Sequence, residues 1–145
     1  MVETPHPYCR CLFYSANALA RNITRLTEEA FARTGLAPSL AFVVMTVGRK
    51  PGIQPSEAAK IMMLSPSTLT RLVEKLEGKG LLRREARGKA ILVHLTGPGE
   101  AILPALQAAW SDTLTRYNAI LGEKSARQLT EAAFTAALAL EGAGA

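Results

Sequence analysis

The sequence predicts a mainly α-helical chain with one small β hairpin. Apolar residues recur at steps of three and four through most of the 145 residues, which is the period of amphipathic helices. Two short β-like runs, at residues 81–84 and 90–95, are separated by a stretch that contains a glycine, as in a β hairpin. The length fits a single domain, residues 1–145, with a sizeable core.

The first third of the chain predicts two helices. Residues 8–33 carry an apolar stripe that a helix would place on one face, formed by Leu12, Ala16, Leu19, Ile23, Leu26 and Ala30. Gly35 ends this helix, and residues 39–49 form a second helix with a dense apolar centre. The first helix is longer than one small core requires, so we expect it to pack partly on another subunit. Residues 1–7 are polar and contain proline, and we expect an arm there.

A helix-turn-helix is predicted next. Residues 54–62 favour a short helix, with Pro55 at its first position and Glu57 in its first turn. Only Met63 and Leu64 separate this helix from Ser65, which is a good N-cap for another helix. Two helices joined by so short a turn form a helix-turn-helix unit.

The second helix of this unit, which begins at Pro66, is called the recognition helix below. Its buried stripe is predicted to consist of Leu69, Leu72, Val73 and Leu76. Its other faces carry Ser67, Thr68, Thr70, Arg71, Glu74 and Lys75. Small hydroxyl side chains followed by an arginine suit a helix whose N-terminal end enters a DNA major groove.

The hairpin that follows is basic. Gly80 stops the recognition helix, and residues 85–89 are predicted to form the hairpin tip, with Gly88 in a positive-φ turn. Residues 71–89 hold seven basic and three acidic residues, so +4 of the net charge of +5 falls there. Such a concentration favours phosphate binding, although a solvated basic face would carry the same composition. A basic hairpin placed after a helix-turn-helix is a wing.

One longer pattern links these elements. It comprises Ser65, Ser67, Thr68, Leu69, Thr70, Arg71, Leu72, Val73, Leu76, Glu77, Gly80, Leu81, Arg83 and Arg84, and it closes with Leu95 and Thr96. This pattern resembles the winged-helix core of the MarR family of bacterial transcriptional regulators. Two departures stand out: Met63 occupies a turn position where the family often has glycine, and the wing is shorter and lacks the family's aspartate before Arg87.

The resemblance implies an architecture and a function. The expected fold is a winged helix-turn-helix lobe at about residues 37–96, flanked by long dimerisation helices at about 8–33 and 99–140. The expected function is a sequence-specific transcriptional regulator, by analogy a repressor, that binds a pseudo-palindromic double-stranded DNA operator as a homodimer. The alternative is a winged-helix protein-interaction module that does not bind DNA; an acidic or apolar wing would have favoured it.

Candidate DNA-binding residues lie on both parts of the winged helix. On the recognition helix they are Ser65, Pro66, Ser67, Thr68, Thr70, Arg71 and Lys75, and on the wing they are Arg84, Arg87 and Lys89. The wing contacts are the less specific prediction, because the wing departs from the family pattern.

The last third of the chain predicts two more helices. Residues 96–100 contain two glycines and a proline and are expected to break the chain, after which a long helix runs to about Leu121. Pro104 is expected in or near its first turns. An alanine-rich helix at residues 125–140 follows, and the tail at residues 142–145 is expected to fray.

Catalysis finds no support in the sequence, and we expect neither a cofactor nor a metal. His6 and His94 are the only histidines, neither accompanies a recognisable nucleophile, and no glycine-rich phosphate loop is present. His94 is expected at the wing base. No apolar run approaches the roughly 20 residues of a membrane span, and no signal peptide is evident, which favours the cytoplasm.

Two sites for a regulatory signal are expected. The resemblance implies a small-molecule pocket, with Phe13, Tyr14, Phe42 and Met45 as candidate lining residues. Cys9 and Cys11 bracket Arg10, and three readings stay open for them: ordinary helix residues, redox-sensing thiols, or soft-metal ligands together with His6. In the peroxide-sensing branch of the family the reactive cysteine precedes a tyrosine, but aligning Tyr14 with that tyrosine puts Arg10, not a cysteine, at the reactive position.

Overall fold

The computed structural model describes residues 6–144; the predicted arm at residues 1–5 and the last tail residue, Ala145, lie outside the described part. In chain order the elements are α1 (Leu12–Phe31), α2 (Pro38–Arg49), α3 (Pro55–Met62), α4 (Pro66–Gly78), β1 (Leu82–Arg87), β2 (Ala90–Leu95), α5 (Gly97–Leu121) and α6 (Glu123–Gly144). The predicted class, mainly α with a small β wing, is confirmed.

The start of the first helix differs from the prediction. Residues 7–10 form a separate 3₁₀ turn, and Cys11 is extended, with φ −95° and ψ 120°. The N–H of Cys11 closes this turn by donating to the carbonyl of Tyr8 at 2.8 Å. The α-helix therefore begins only at Leu12, and at its other end it passes into a 3₁₀ turn that Gly35 stops at φ 73°.

Two compact units are distinguished in the chain, and the first is Thr27–Trp110. It contains α2, α3, α4 and the hairpin, with α2 packed against α3, α4 and β2. Its core is a single apolar cluster that includes Phe31, Val43, Val44, Val47, Ile53, Leu69, Leu76, Val93 and Leu106. Because α2 runs through this cluster, its apolar residues surround most of the helix instead of forming one stripe.

The helix-turn-helix is confirmed, with its caps where the sequence places them. Pro55 opens α3 and Pro66 opens α4, each at the first helical turn. Met63 joins the helices in the left-handed conformation, at φ 54° and ψ 42°, and its N–H donates to the carbonyls of Ala59 and Lys60. Among the described residues it is the one non-glycine residue with positive φ. The glycine that the family pattern often has there would adopt this conformation without strain.

The hairpin is longer than predicted. Residues 85–87, expected at the tip, continue strand β1 and pair with residues 90–92 of β2 in an antiparallel register that also matches Leu82 with Leu95. The turn therefore consists of Gly88, at φ 61° as predicted, and Lys89. A bridge between Ile53 and Val93 attaches the hairpin to the chain that precedes α3.

Helix α5 begins earlier than predicted. Residues 97–100, expected to break the chain, form its first turn, because the Thr96 hydroxyl accepts a hydrogen bond from the N–H of Gly99 at 3.1 Å. The same hydroxyl donates to the Gly80 carbonyl at 2.6 Å. A side chain at Gly99 would overlap the Leu81 carbonyl, so the backbones approach too closely for any other residue. Pro104 lies inside the helix, near its start.

The second compact unit is Met1–Leu26 with Ser111–Ala145. Helix α6, predicted at residues 125–140, starts at Glu123 and extends through Gly144, so the fraying expected for residues 142–144 is not observed. Ala126 and Thr113 are buried in this unit, but many of its large apolar side chains are exposed. The predicted division into a DNA-binding lobe and dimerisation helices stays a prediction.

Within the described residues no single helix has the length and apolar character to cross a membrane. Only one bent pair, Leu12–Thr34 with Pro38–Arg49, meets those requirements jointly, by length and composition alone.

Candidate nucleic-acid interface

The recognition helix α4 is anchored by the hydroxyl of Ser65. This hydroxyl accepts a hydrogen bond from the N–H of Thr68 at 3.2 Å and donates to the Thr68 hydroxyl at 2.8 Å. The predicted N-cap is thereby confirmed. The cap also orders two of the candidate hydroxyls, since Ser65 and Thr68 hold each other in place at the exposed end of the helix.

The two faces of α4 are sharply different. Leu69, Val73 and Leu76 are fully buried in the core of the Thr27–Trp110 unit, and Leu72 packs at its edge. The candidate residues Ser67, Arg71 and Lys75 are exposed. Burial of the apolar stripe fixes the rotation of the helix about its axis, so these polar side chains are directed into solvent.

Arg71 and Lys75 make no ion pair within residues 6–144. Their charges are therefore available to an external anion. The hydroxyl of Thr70, in contrast, donates to the carbonyl of Pro66 at 2.9 Å, one turn back along the helix. Ser67 is the more available hydroxyl, since among the described residues its one hydrogen-bond partner is the hydroxyl of Ser65, at a long 3.3 Å.

The three candidate cations of the wing lie in different surroundings. Nε of Arg84 lies 2.8 Å from a carboxylate oxygen of Glu77, on α4. Arg87 lies 3.6 Å from Glu85, a looser and more exposed contact. Lys89, in the turn, has no ion pair within the described residues. Sequence reasoning gave no indication of the Glu77 contact, because it joins two elements.

His94 lies at the wing base, as expected. Its Nε2 is 2.9 Å from a carboxylate oxygen of Glu85 on the neighbouring strand. The imidazole also lies close to the backbone at Gly52, where an added side chain would contact Cε1 at 3.4 Å. The residue therefore lies between the neighbouring strand and the loop at Gly52, and it helps to attach the hairpin to the body of its unit.

A cavity of about 300 Å³ lies in the Thr27–Trp110 unit. Its lining comprises Phe42, Met45, Thr46, Arg49, Lys50, Ile61 and Trp110. The Phe42 and Trp110 rings meet edge to face at 6.0 Å between centroids, and the Arg49 guanidinium lies 5.7 Å from the Trp110 ring centroid. Two aromatic rings and two cations therefore converge on one apolar space.

The four candidate pocket residues do not share this cavity. Phe42 and Met45 line it, whereas Phe13 and Tyr14 belong to the other unit and are 79% and 42% exposed. The sequence analysis missed Arg49 and Trp110. The two residues lie far apart in the sequence, and only the fold brings Trp110 beside Arg49.

The two cysteines are exposed free thiols. Cys9 lies in the 3₁₀ turn and Cys11 in the extended link to α1, so neither belongs to the α-helix that was predicted to hold them. His6 accepts a hydrogen bond at Nδ1 from the N–H of Tyr8. Residues 6–144 hold no group of three or more His, Cys, Asp or Glu side chains placed to bind a metal ion, so the soft-metal reading gains no support.

Comparison with known proteins places this geometry in context. The model of the MarR family matches residues 36–88, which span the helix-turn-helix and the first strand of the hairpin. The HTH-type transcriptional repressor MdtR of Bacillus subtilis (strain 168) is 29% identical over 128 residues, which cover 86% of this chain and 81% of the relative.

Solved structures share the fold. The transcriptional repressor CouR of Rhodococcus jostii RHA1, bound to a 23-mer DNA duplex, superposes with a TM-score of 0.81 at 20% identity, covering 94% of this chain and 99% of that one. The PcaV regulator of Streptomyces coelicolor, in complex with its natural ligand, gives 0.82 at 17% identity, with the same coverage of 94% and 99%.

The relative and the two solved structures named above are transcriptional regulators by description. The family model covers the helix-turn-helix and the first strand of the hairpin, and the relative extends the likeness over most of the sequence. The resemblance drawn from residues 65–96 is therefore confirmed: residues 36–88 match the MarR family, and most of the chain is similar to a transcriptional repressor.

Proposed function

We propose that this chain is a homodimeric repressor that binds a pseudo-palindromic operator in the cytoplasm and is released by a chemical signal. The observation that carries the proposal is that Arg71 and Lys75 are exposed and form no ion pair within residues 6–144, on a capped helix beside a basic hairpin. The DNA-bound neighbour CouR supports it, because the same fold there binds a duplex. A dimer would place two recognition helices roughly 34–36 Å apart, matching half-sites one DNA turn apart.

The proposed roles of the side chains follow from their surroundings. Arg71 and Ser67 are exposed near the start of α4, so they are the proposed readers of base edges. Lys75, Arg84, Arg87 and Lys89 are proposed to neutralise phosphates, which position the protein without reading sequence. Ser65, Pro66, Thr68 and Thr70 are proposed to shape the helix end that approaches the DNA, through their cap and backbone hydrogen bonds.

Fluorescence anisotropy with duplexes from upstream of the protein's own gene tests the proposal. Arg71→Ala should weaken binding to the specific duplex by roughly 1–3 kcal/mol and relax the preference over a scrambled duplex. The affinity of the wild type should fall steeply with salt, since several phosphate contacts release counterions.

The matched control is Arg127→Ala, which removes the same charge from an exposed position on α6, in the other compact unit. It should leave the ratio of specific to scrambled affinity unchanged. If both Arg71→Ala and Ser67→Ala bind the specific duplex as the wild type does, α4 is not the reading element.

The cavity that Phe42, Met45, Arg49 and Trp110 line is the proposed effector site. Its volume and largely apolar lining, with two cations at one side, fit a small flat aromatic acid. The PcaV neighbour was solved in complex with its natural ligand, which supports a ligand site in this fold. The exposed Phe13 and Tyr14 stay candidates for an additional part of the site.

Trp110 makes the effector proposal directly measurable, because it is the only tryptophan in the chain. Benzoate and 4-hydroxybenzoate should change its fluorescence saturably, and the uncharged isostere benzamide should bind more weakly. Arg49→Gln should abolish that difference. If none of the three probes alters the emission at millimolar concentration, this ligand class is excluded from the cavity.

An oxidant is the alternative signal, and it is favoured by the exposure of both thiols. A hydroperoxide would oxidise the sulfur to a sulfenic acid and be reduced to the alcohol or to water. A gel shift of the wild type and of the Cys9→Ser, Cys11→Ser double variant, with and without hydroperoxide, decides between the signals. Release of DNA from both proteins alike, or from neither, would remove the cysteines from the mechanism.

A further inference from the structure

The last turn of the recognition helix carries a carboxylate that the DNA-binding proposal does not use. Glu77 is the penultimate residue of the helix, which ends at Gly78 with Lys79 as its cap, and the Glu77 side chain is partly buried. An acid at a helix C-terminus lies against the negative end of the helix dipole. It also adds negative charge to the segment that is proposed to approach phosphates. On simple electrostatic grounds it should oppose DNA binding.

The contact that Glu77 makes gives it another role. Its Oε1 lies 2.8 Å from Nε of Arg84 in an ion pair, and Arg84 lies on β1. Arg84 shares a face of the hairpin with the buried Leu82, two residues earlier, and pairs in register with the buried Val93. The arginine therefore leaves the wing on the side that faces the core and α4, and a carboxylate meets it there.

The chemistry of the guanidinium makes this contact useful. A bond at Nε uses one edge of the fork and leaves the two terminal nitrogens, with four N–H donors, for another anion. An arginine held at Nε has also lost most of its rotamer freedom before any ligand arrives, so less entropy is lost when it binds a phosphate.

We propose that Glu77 is a positioning residue that holds Arg84 ready for a DNA phosphate and ties the wing to the recognition helix. This inference rests on the proposed function, in particular on Arg84 as a phosphate contact. The presence of Glu77 thus improves DNA binding although its charge opposes it.

The sign of the effect provides the test. Glu77→Ala removes the tether and should weaken binding to the specific duplex by roughly 5- to 20-fold, since a partly exposed ion pair is lost in both subunits. Glu74→Ala is the matched control. Glu74 is an exposed acid three residues earlier on the same helix, and Glu74 has no ion pair within the described residues. The control variant should bind DNA as tightly as the wild type or more tightly.

A conservative variant separates positioning from charge. Glu77→Gln keeps an acceptor oxygen for Nε of Arg84 but lacks the charge, so it should recover most of the affinity lost in Glu77→Ala. Thermal unfolding of all variants accompanies the titrations. We expect all variants to melt close to the temperature of the wild type. If an Ala variant melts at a lower temperature, its weak binding could come from partial unfolding, and the DNA affinity of the Gln variant then decides the test.

The Arg84→Ala background distinguishes failure of this inference from failure of the proposed function. There, adding Glu77→Ala should no longer weaken binding. If Arg84→Ala alone binds DNA as the wild type does, the phosphate role of Arg84 is wrong. If Arg84→Ala weakens binding but Glu77→Ala does not, the positioning role is overturned and the phosphate role stands. Tighter binding by Glu77→Ala would overturn the inference directly.

Discussion

The two compact units of this chain bury apolar side chains to very different extents. The Thr27–Trp110 unit contains the whole apolar core cluster, in which Phe31, Leu69 and Leu76 are fully buried. The unit formed by Met1–Leu26 and Ser111–Ala145 has Ala126 as its one buried apolar residue among those described. Its exposed large apolar side chains are Tyr8, Leu12, Phe13, Tyr14, Ile120, Leu121, Leu129, Phe134, Leu138 and Leu140.

This difference indicates which unit is complete within one chain. Monomeric proteins rarely expose so many large apolar side chains together. The exposed apolar side chains of the second unit therefore indicate an interaction surface. A cavity of about 270 Å³, with a largely apolar lining that includes Leu19, Ile23, Leu121 and Leu129, lies in the same unit. The homodimer proposed above would supply a partner for this surface, while the winged helix carries its own core.

The largest effect is expected in the self-contained core. Leu69→Ala should lower the free energy of unfolding by about 2–5 kcal/mol, because a fully buried side chain leaves a cavity. Leu140→Ala, at a position that is 66% exposed in the second unit, is the comparison and should lower the free energy of unfolding less. Urea unfolding at several protein concentrations checks the comparison: the loss at Leu69 should not depend on concentration. Equal losses at both positions would remove the distinction between the units.

The second effect concerns assembly. Phe134→Asp combined with Leu138→Asp should dissociate the dimer, because each apolar side chain buried at an interface contributes about 1.5–3 kcal/mol and a two-fold interface contains it twice. Light scattering measures the outcome. Ile91→Asp, an exposed apolar position of the first unit, is the control and should remain dimeric. A folded monomer for the unaltered protein would defeat the prediction outright.

A smaller effect is expected at the joint of the helix-turn-helix. Met63→Gly should be more stable than Met63→Ala by about 1 kcal/mol, because alanine retains the left-handed strain that glycine avoids. Comparing two variants that both lack the methionine side chain removes its packing from the difference. Thermal and urea unfolding give the two stabilities. Alanine as stable as glycine would mean that the turn relaxes to another conformation.

The smallest effect is expected at the cap of the recognition helix. Ser65→Ala should cost about 1 kcal/mol of folding stability, since the N–H of Thr68 loses its acceptor. Ser67→Ala removes the same hydroxyl two residues later, where it caps nothing, and should be nearly neutral in stability. Urea unfolding of the two variants distinguishes them, and identical losses would show that the cap contributes nothing measurable.

Local signals in the sequence predicted the helix-turn-helix well, for a physical reason. The helix boundaries there are set by residues that act on backbone groups only a few residues away, namely Pro55, Ser65, Pro66 and Gly80. Their effects can therefore be predicted without knowledge of the fold. The helix and strand boundaries that were predicted wrongly depend on contacts with residues in other elements. Strand β1 extends to Arg87 because β2 pairs with it, and α5 starts at Gly97 because Thr96 caps it while bonding to Gly80.

The sequence by itself therefore determined the class, the winged helix and the side chains that α4 exposes, since apolar period and capping are local properties. The tertiary structure alone decided which charges are paired and which rings meet. Arg84 is held by Glu77 while Arg71 is free of ion pairs within the described residues, and Trp110 lies beside Phe42 and Arg49. These contacts join residues from different elements, and their formation depends on how the helices and the hairpin pack, which no local pattern encodes.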